Sequence, residues 1–243
     1  MVVKSEIKHI KSLQQKKYRI QNGLFVVEGI KTVSELLQSS FSPYKIYSTD
    51  ESLLTGIPVE KAIVSASELK KMSSLQNPNK VLGVFHIPRA VPPVFKDWIL
   101  VLDALKDPGN LGTIIRLCDW FGIRHLVCSP DTADCYNPKV LQATMGSIAR
   151  VNVVYEVLDS LLERPEVPVY GAFMDGRPVY GQSLPAAGML VMGNEAHGIS
   201  AAVSEKVKHR IGIPQYGDQR TESLNVAMAT AILLNEIRRP TQR

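Results

Sequence analysis

The stretch that most restricts the fold is residues 226–237, VAMATAILLNEI, in which only Thr230, Asn235 and Glu236 are polar. The spacing predicts a helix that is apolar nearly all round, so it is either the centre of a large core or shared with a second subunit. It is preceded by Ser223-Leu224-Asn225 and, further back, by a short apolar strand over 211–213 that stops at Pro214. Two polar side chains at the mouth of such a helix place backbone N–H groups and side chains at one fixed spot.

A chain of 243 residues is long enough to bury a sizeable core in one large or two modest domains. It has no run of 18 apolar residues to span a bilayer, and its N-terminus lacks the apolar centre of a signal peptide, so a cytoplasmic location is expected. Cys118, Cys128 and Cys135 lack C-x-x-C spacing and paired histidines, which disfavours zinc and disulfides and leaves buried or idle thiols. Residues 1–22 carry six bases (Lys4, Lys8, Lys11, Lys16, Lys17, Arg19) against Glu6 alone, equal to the whole formal charge of +5. A basic helix on a neutral body suits an anionic partner, nucleic acid being the common one, although a solvated helix face has the same composition.

Residues 1–88 alternate helix and strand patterns and form a small α/β domain; the prolines at 88, 92 and 93 mark a linker over 89–97. From Trp98 to the end, continuous apolar strands (99–102, 125–128, 151–154, 169–173, 189–192) alternate with helices, one of them over 138–149. That pattern predicts a parallel sheet covered on both faces, with ligands beyond the carboxyl ends of its strands.

Three loops of this second domain, 98–243, are richer in Gly and polar residues than folding requires. In Asp107-Pro108-Gly109-Asn110-Leu111-Gly112-Thr113, with Arg116 one turn on, two readings stand. Asn110 caps the helix and Arg116 pairs with Asp119, or Arg116 handles an anion or hydroxyl above a helix N-terminus. In Gly193-Asn194-Glu195-Ala196-His197-Gly198, either Ser200 caps the next helix and Glu195 and His197 face water, or the glycines allow a ligand to approach the backbone. Neither Glu195 nor His197 has a second histidine at ligand spacing, so no metal is expected. In the third loop the plain reading has Ser223 as the N-cap of the last helix and Asn225 as a solvated first-turn residue, which explains Ser223 but not the apolar helix. Glycines spaced G-x-G, the P-loop, G-x-S-x-G and H-E-x-x-H are all missing, which removes the common nucleotide, hydrolase and zinc readings.

Taken together, Asn110-x-Gly112-x-x-x-Arg116, the run LVMGNEAHGI over 190–199, and Ile213-Pro214 followed by Ser223-Leu-Asn-Val226 resemble the three ordered motifs of the SpoU/TrmH family, SPOUT-class RNA ribose 2′-O-methyltransferases. The likeness spans about residues 98–238, and residues 16–37 are similar to the substrate-binding domain that precedes the catalytic domain in many members. That domain is itself similar to a ribosomal protein that binds kinked RNA.

The resemblance implies a parallel sheet with a deep trefoil knot, a homodimer, S-adenosylmethionine as cofactor and RNA as substrate, ribosomal rather than transfer RNA. Carried over by position, Gly193, Ile213 and Leu224 are the cofactor contacts. Asn110, Arg116, Glu195, Ser223 and Asn225 are the polar active-site residues. Lys16, Lys17 and Arg19, from the basic N-terminal segment, are the expected RNA contacts. The loop 215–222 departs from the pattern by about two extra residues. A catalytically inactive RNA-binding protein of the same fold, and a metabolic enzyme acting on a small phosphorylated substrate, are the alternatives.

Overall fold

The computed structural model describes residues 2–54, 59–163, 166–217 and 222–239, and these divide into two units. The first begins with α1 (Lys4–Ser12), α2 (Lys16–Asn22), β1 (Leu24–Glu28) and α3 (Ile30–Leu37). It continues with β2 (Pro43–Ser48), β3 (Lys61–Ile63), α4 (Ala66–Met72) and β4 (Val81–His86). The strands lie in the order β1-β4-β2-β3, antiparallel except for the β2–β3 pair. Ser65 and Glu68 form a reciprocal capping box that starts α4 cleanly.

The basic N-terminal segment is two helices where its sequence suggested one. Arg19 causes the break: its Nη1 donates to the carbonyls of Leu13 (2.9 Å) and Gln14 (2.8 Å), so these carbonyls bond a side chain where a continuous helix would use backbone N–H groups. The same guanidinium bonds Asp134 through Nε and Nη2 and is 2% exposed. Arg19 is therefore a buried structural cation, and its expected role as an RNA contact is corrected. Composition counts its charge but carries no sign of an aspartate 115 residues away.

The second unit begins with β5 (Ile99–Leu102), α5 (Pro108–Trp120) and β6 (His125–Cys128). The chain then returns to the first unit with residues 134–150, which hold α6 (Pro138–Thr144) and a 3-10 turn. The expectation that the whole of 98–243 forms one domain is corrected at this segment. Tyr136 packs its ring 4.5 Å from Phe25, and Val140, Leu141 and Ile148 are buried, so the apolar stripe of α6 lies against β1. A helical period shows that a stripe exists but not which sheet covers it.

The rest of the second unit is β7 (Asn152–Tyr155), α7 (Leu158–Leu162), β8 (Val169–Pro178), β9 (Met189–Met192), α8 (Ala201–Lys206), β10 (His209–Gly212) and α9 (Val226–Arg238). Its six strands run in the order β10-β8-β9-β5-β6-β7, and every pairing is parallel. β5 and β9 are buried along their full length, as central strands covered on both faces must be. After β7 the chain crosses back to the other side of β5, and such reversals leave a crevice at the carboxyl ends of the strands. Among the described residues no helix is long and apolar enough to cross a membrane.

Arg238 locks the last turn of α9. It donates to both carboxylate oxygens of Asp97 (2.7 and 2.8 Å) and to the carbonyls of Phe121 (2.8 Å) and Gly122 (3.2 Å). Burial pushes the Asp97 carboxyl up, but the Arg238 bonds and the Trp98 N–H outweigh it and hold the group below its ordinary value. Because the folded value is the lower one, the pair stabilises above the ordinary carboxylate range, and the contribution is lost as pH falls through the folded value. Asp97→Asn is expected to cost about 1 kcal/mol near pH 7, discounted for partial exposure, and progressively less in acid. Urea denaturation at neutral and acid pH checks this; a deficit independent of pH would contradict it.

Candidate active site

The site is built where β5, β9 and β10 end. Asp103, buried just past β5, donates its N–H to Met192 O (2.9 Å), and its carboxylate accepts the Ser200 N–H (2.7 Å). Ala104 follows with φ at 57°, a left-handed conformation costly for a residue with a Cβ. It is pinned from two sides: its N–H donates to Ser129 Oγ (2.8 Å), and its carbonyl accepts from Asn194 Nδ2 (2.7 Å). Ser129 is held in turn by Asp131, whose carboxyl is kept below its ordinary value by hydrogen bonds from Lys106 and Ser129.

The loop after β9 is a closed turn. Asn194 and Gly198 exchange backbone hydrogen bonds (2.8 and 2.9 Å), and Asn194 Oδ1 accepts from the N–H groups of Ala196 and His197. A Cβ on Gly193 would stand 2.1 Å from Gly198 C and 2.2 Å from Ile199 N, so only glycine fits. Ser200 occupies the N-cap of α8 but makes no side-chain cap; its N–H is the group that Asp103 takes.

Two caps differ from expectation. Asp107, not Asn110, caps α5, with Oδ1 accepting the Asn110 N–H (2.7 Å). Asn225, not Ser223, caps α9, with Oδ1 accepting from Ala227 (3.0 Å) and Met228 (3.3 Å). Residue type alone does not choose between two good capping residues two or three positions apart. The consequence is directional. With its oxygen committed to α9, Asn225 donates through Nδ2 to Asn110 Oδ1 (3.0 Å). Asn110 then donates through its own Nδ2 to Glu195 Oε1 (3.0 Å). A one-way hydrogen-bond chain thus joins all three loops and ends on a carboxylate.

Glu195 and Ser223 also line a cleft of about 710 Å³, together with Gly193, Ile213 and Leu224. Neither Asn110 nor Asn225 lines it; they reach it through the hydrogen-bond chain to Glu195. Arg116 is not on its wall either. It is exposed on α5 and makes no hydrogen bond or ion pair with any described residue, so the expected alternative of an Asp119 pair does not form.

Phe173 and Met174 of β8 form part of the cleft wall, which the sequence did not reveal. They belong to an excursion of five residues, 172–176, inserted where Arg210 pairs with Gly171 and Ile211 with Arg177. Arg210 secures it, with its guanidinium 3.5 Å from the Phe173 ring centroid and Nη2 bonded to Asp175 (2.7 Å).

Among the described residues no group of three or more His, Cys, Asp or Glu is placed to hold a metal ion, and all three cysteines are buried. Lys16 and Lys17 are exposed on α2. Of the longer loop 215–222, residues 218–221 lie outside the described residues, among them Asp218 and Arg220.

Comparison with known proteins agrees with this arrangement. Residues 97–235 match the model of the SpoU rRNA Methylase family, and residues 4–83 that of the MRM3-like substrate binding domain. The 23S rRNA (guanosine(2553)-2'-O)-methyltransferase RlmP of Bacillus subtilis is 34% identical over 242 residues, 96% of each chain. A proposed RNA methyltransferase of the TrmH family from Porphyromonas gingivalis superposes with a TM-score of 0.92 at 38% identity, covering 99% of each chain. An AdoMet-bound rRNA methyltransferase from Sinorhizobium meliloti does so with a TM-score of 0.88 at 28% identity, covering 99% of this chain and 96% of the other. With its three loops joined at one cleft and the family model matched over residues 97–235, the chain belongs to the SpoU rRNA methylase family.

Proposed function

We propose that this chain transfers a methyl group from S-adenosylmethionine to a ribose 2′-hydroxyl of ribosomal RNA. The observation that carries the reading is the meeting of the three loops at one cleft, with Glu195 at its wall and a hydrogen-bond chain from Asn225 and Asn110 ending on that carboxylate. The relatives point the same way: one is named for 2′-O-methylation of 23S rRNA, and another was crystallised with AdoMet.

The residues present fit the cofactor. The cleft has room for an adenosyl group, with apolar walls at Phe173, Ile213 and Leu224 and bare backbone at Gly193 and Gly212. When bound, S-adenosylmethionine supplies an electrophilic methyl group on a sulfonium. The chain itself must hold the ribose oxygen in line and stabilise the charge it develops as its proton leaves. Arg116 fills that role by gripping the neighbouring phosphate and stabilising the alkoxide, and the phosphate or a desolvated guanidine takes the proton. A guanidine is so basic that at neutral pH it is already protonated, and the guanidinium has no free lone pair with which to remove the proton.

Arg116 lies off its own cleft but shares an exposed face of α5 with Thr113 and Trp120. Trp120 is 83% and Met228 of α9 63% exposed, on helices that pack together. Exposed apolar side chains of this size support a homodimer through α5 and α9, in which Arg116 serves the partner's cleft. A knotted path for the C-terminal part of this sheet belongs to the same proposal and rests on membership of the family. Lys16 and Lys17 remain the assigned RNA contacts of the first unit, and a ribosomal RNA substrate accords with a cytoplasmic enzyme.

Mapping 2′-O-methyl positions in ribosomal RNA from cells with and without the protein tests the function. Loss of one position is expected, restored by the wild-type chain but not by Arg116→Ala. An unchanged map, with no S-adenosylmethionine binding by the purified protein, would overturn it.

A further inference from the structure

Tyr216 is 86% exposed, an unusual position for a large aromatic side chain with no packing role. It makes no hydrogen bond or ring contact with any described residue, yet it lines the same cleft as Glu195 and Ser223. It sits on the segment that leaves β10, two residues past Pro214 and just before Gly217, whose φ of 108° turns the chain. The inner wall of the cleft already has its apolar lining in Phe173, Met174, Ile213 and Leu224, so cofactor contact does not call for another ring.

A ribose hydroxyl reaches such a cleft only if its nucleotide leaves the stack of its neighbours, and the base then needs a new surface. Splayed bases find that surface on aromatic side chains. We infer that Tyr216 is a nucleobase subsite: the base of the nucleotide being methylated stacks on its ring at the mouth of the cleft. Every base has a π-face, so the contact supplies affinity and position rather than base identity. The inference rests on the proposed activity and deepens it.

The test compares Tyr216→Ala, Tyr216→Phe and Tyr216→Leu in the full chain, using ribosomal RNA transcripts and S-adenosylmethionine. Tyr216→Ala is expected to raise KM for RNA about 10- to 100-fold, the usual loss for one base–aromatic stack. Tyr216→Phe should behave as wild type and Tyr216→Leu fall between. Cofactor affinity and the midpoint of urea unfolding should stay unchanged in all three. An unchanged KM for RNA in Tyr216→Ala would overturn the subsite. So would a parallel loss of cofactor affinity, which would make the ring a cover for the cofactor. A wild-type chain that binds S-adenosylmethionine but methylates no ribosomal RNA would sink the activity itself, a result distinct from either.

Discussion

Arg116→Ala is expected to lower the rate of methyl transfer by on the order of 100- to 1000-fold or more, the loss typical when one group that stabilises developing charge is removed. Cofactor affinity should stay close to wild type, because Arg116 does not line the cleft of its own chain. Stability should barely move, since the side chain is exposed and bonds no described residue. Single-turnover kinetics on ribosomal RNA, with S-adenosylmethionine titrated by calorimetry, separate these quantities. Near-normal turnover would remove Arg116 from the mechanism. If Arg116 serves the partner, mixing Arg116→Ala with an inactive cleft variant such as Glu195→Ala should restore part of the activity through mixed dimers.

Gly193→Ala is expected to be the most damaging single change at the cofactor side. The added carbon would sit 2.1 Å from Gly198 C and 2.2 Å from Ile199 N, both backbone atoms that no side-chain rotation can move. Relief requires the Asn194–Gly198 turn to open, which releases the Asn194 bond to Ala104 and the Glu195 end of the chain from Asn225. Displacement of a site by about 1 Å commonly costs around 100-fold in rate, so methyl transfer should fall by about that much and S-adenosylmethionine affinity should fall with it. Calorimetric titration alongside a melting curve measures it. Wild-type affinity in a folded Gly193→Ala protein would mean that this turn does not shape the cofactor site.

The sequence revealed the parts of this molecule that are local. Asn110, Glu195 and Asn225 each fall at the junction of a periodic strand and a periodic helix, and the three ordered motifs of the family resemblance singled them out there. The parallel sheet was legible for a similar reason, because strands buried on both faces have continuous apolar runs such as 99–102 and 189–192. What escaped depends on distant partners. Arg19 looks like any surface base until Asp134 is placed beside it, and residues 134–150 look like part of the second unit until Tyr136 meets Phe25. The cap of α9 was missed because Ser223 and Asn225 are equally good candidates, and only the path of the backbone decides between them. The cleft wall at Phe173 and Met174 was hidden by the five-residue excursion in β8, which no alternation of apolar and polar residues announces.

Because residues 134–150 belong to the first unit, the polypeptide passes between the two units three times. Neither unit is therefore a continuous piece of gene. A fragment ending at Arg89 would lack α6 and the ring of Tyr136, stripping Phe25 and β1 of part of their cover. Exchanging first units between relatives would then require two grafted segments chosen together, with Arg19 and Asp134 carried as a matched pair.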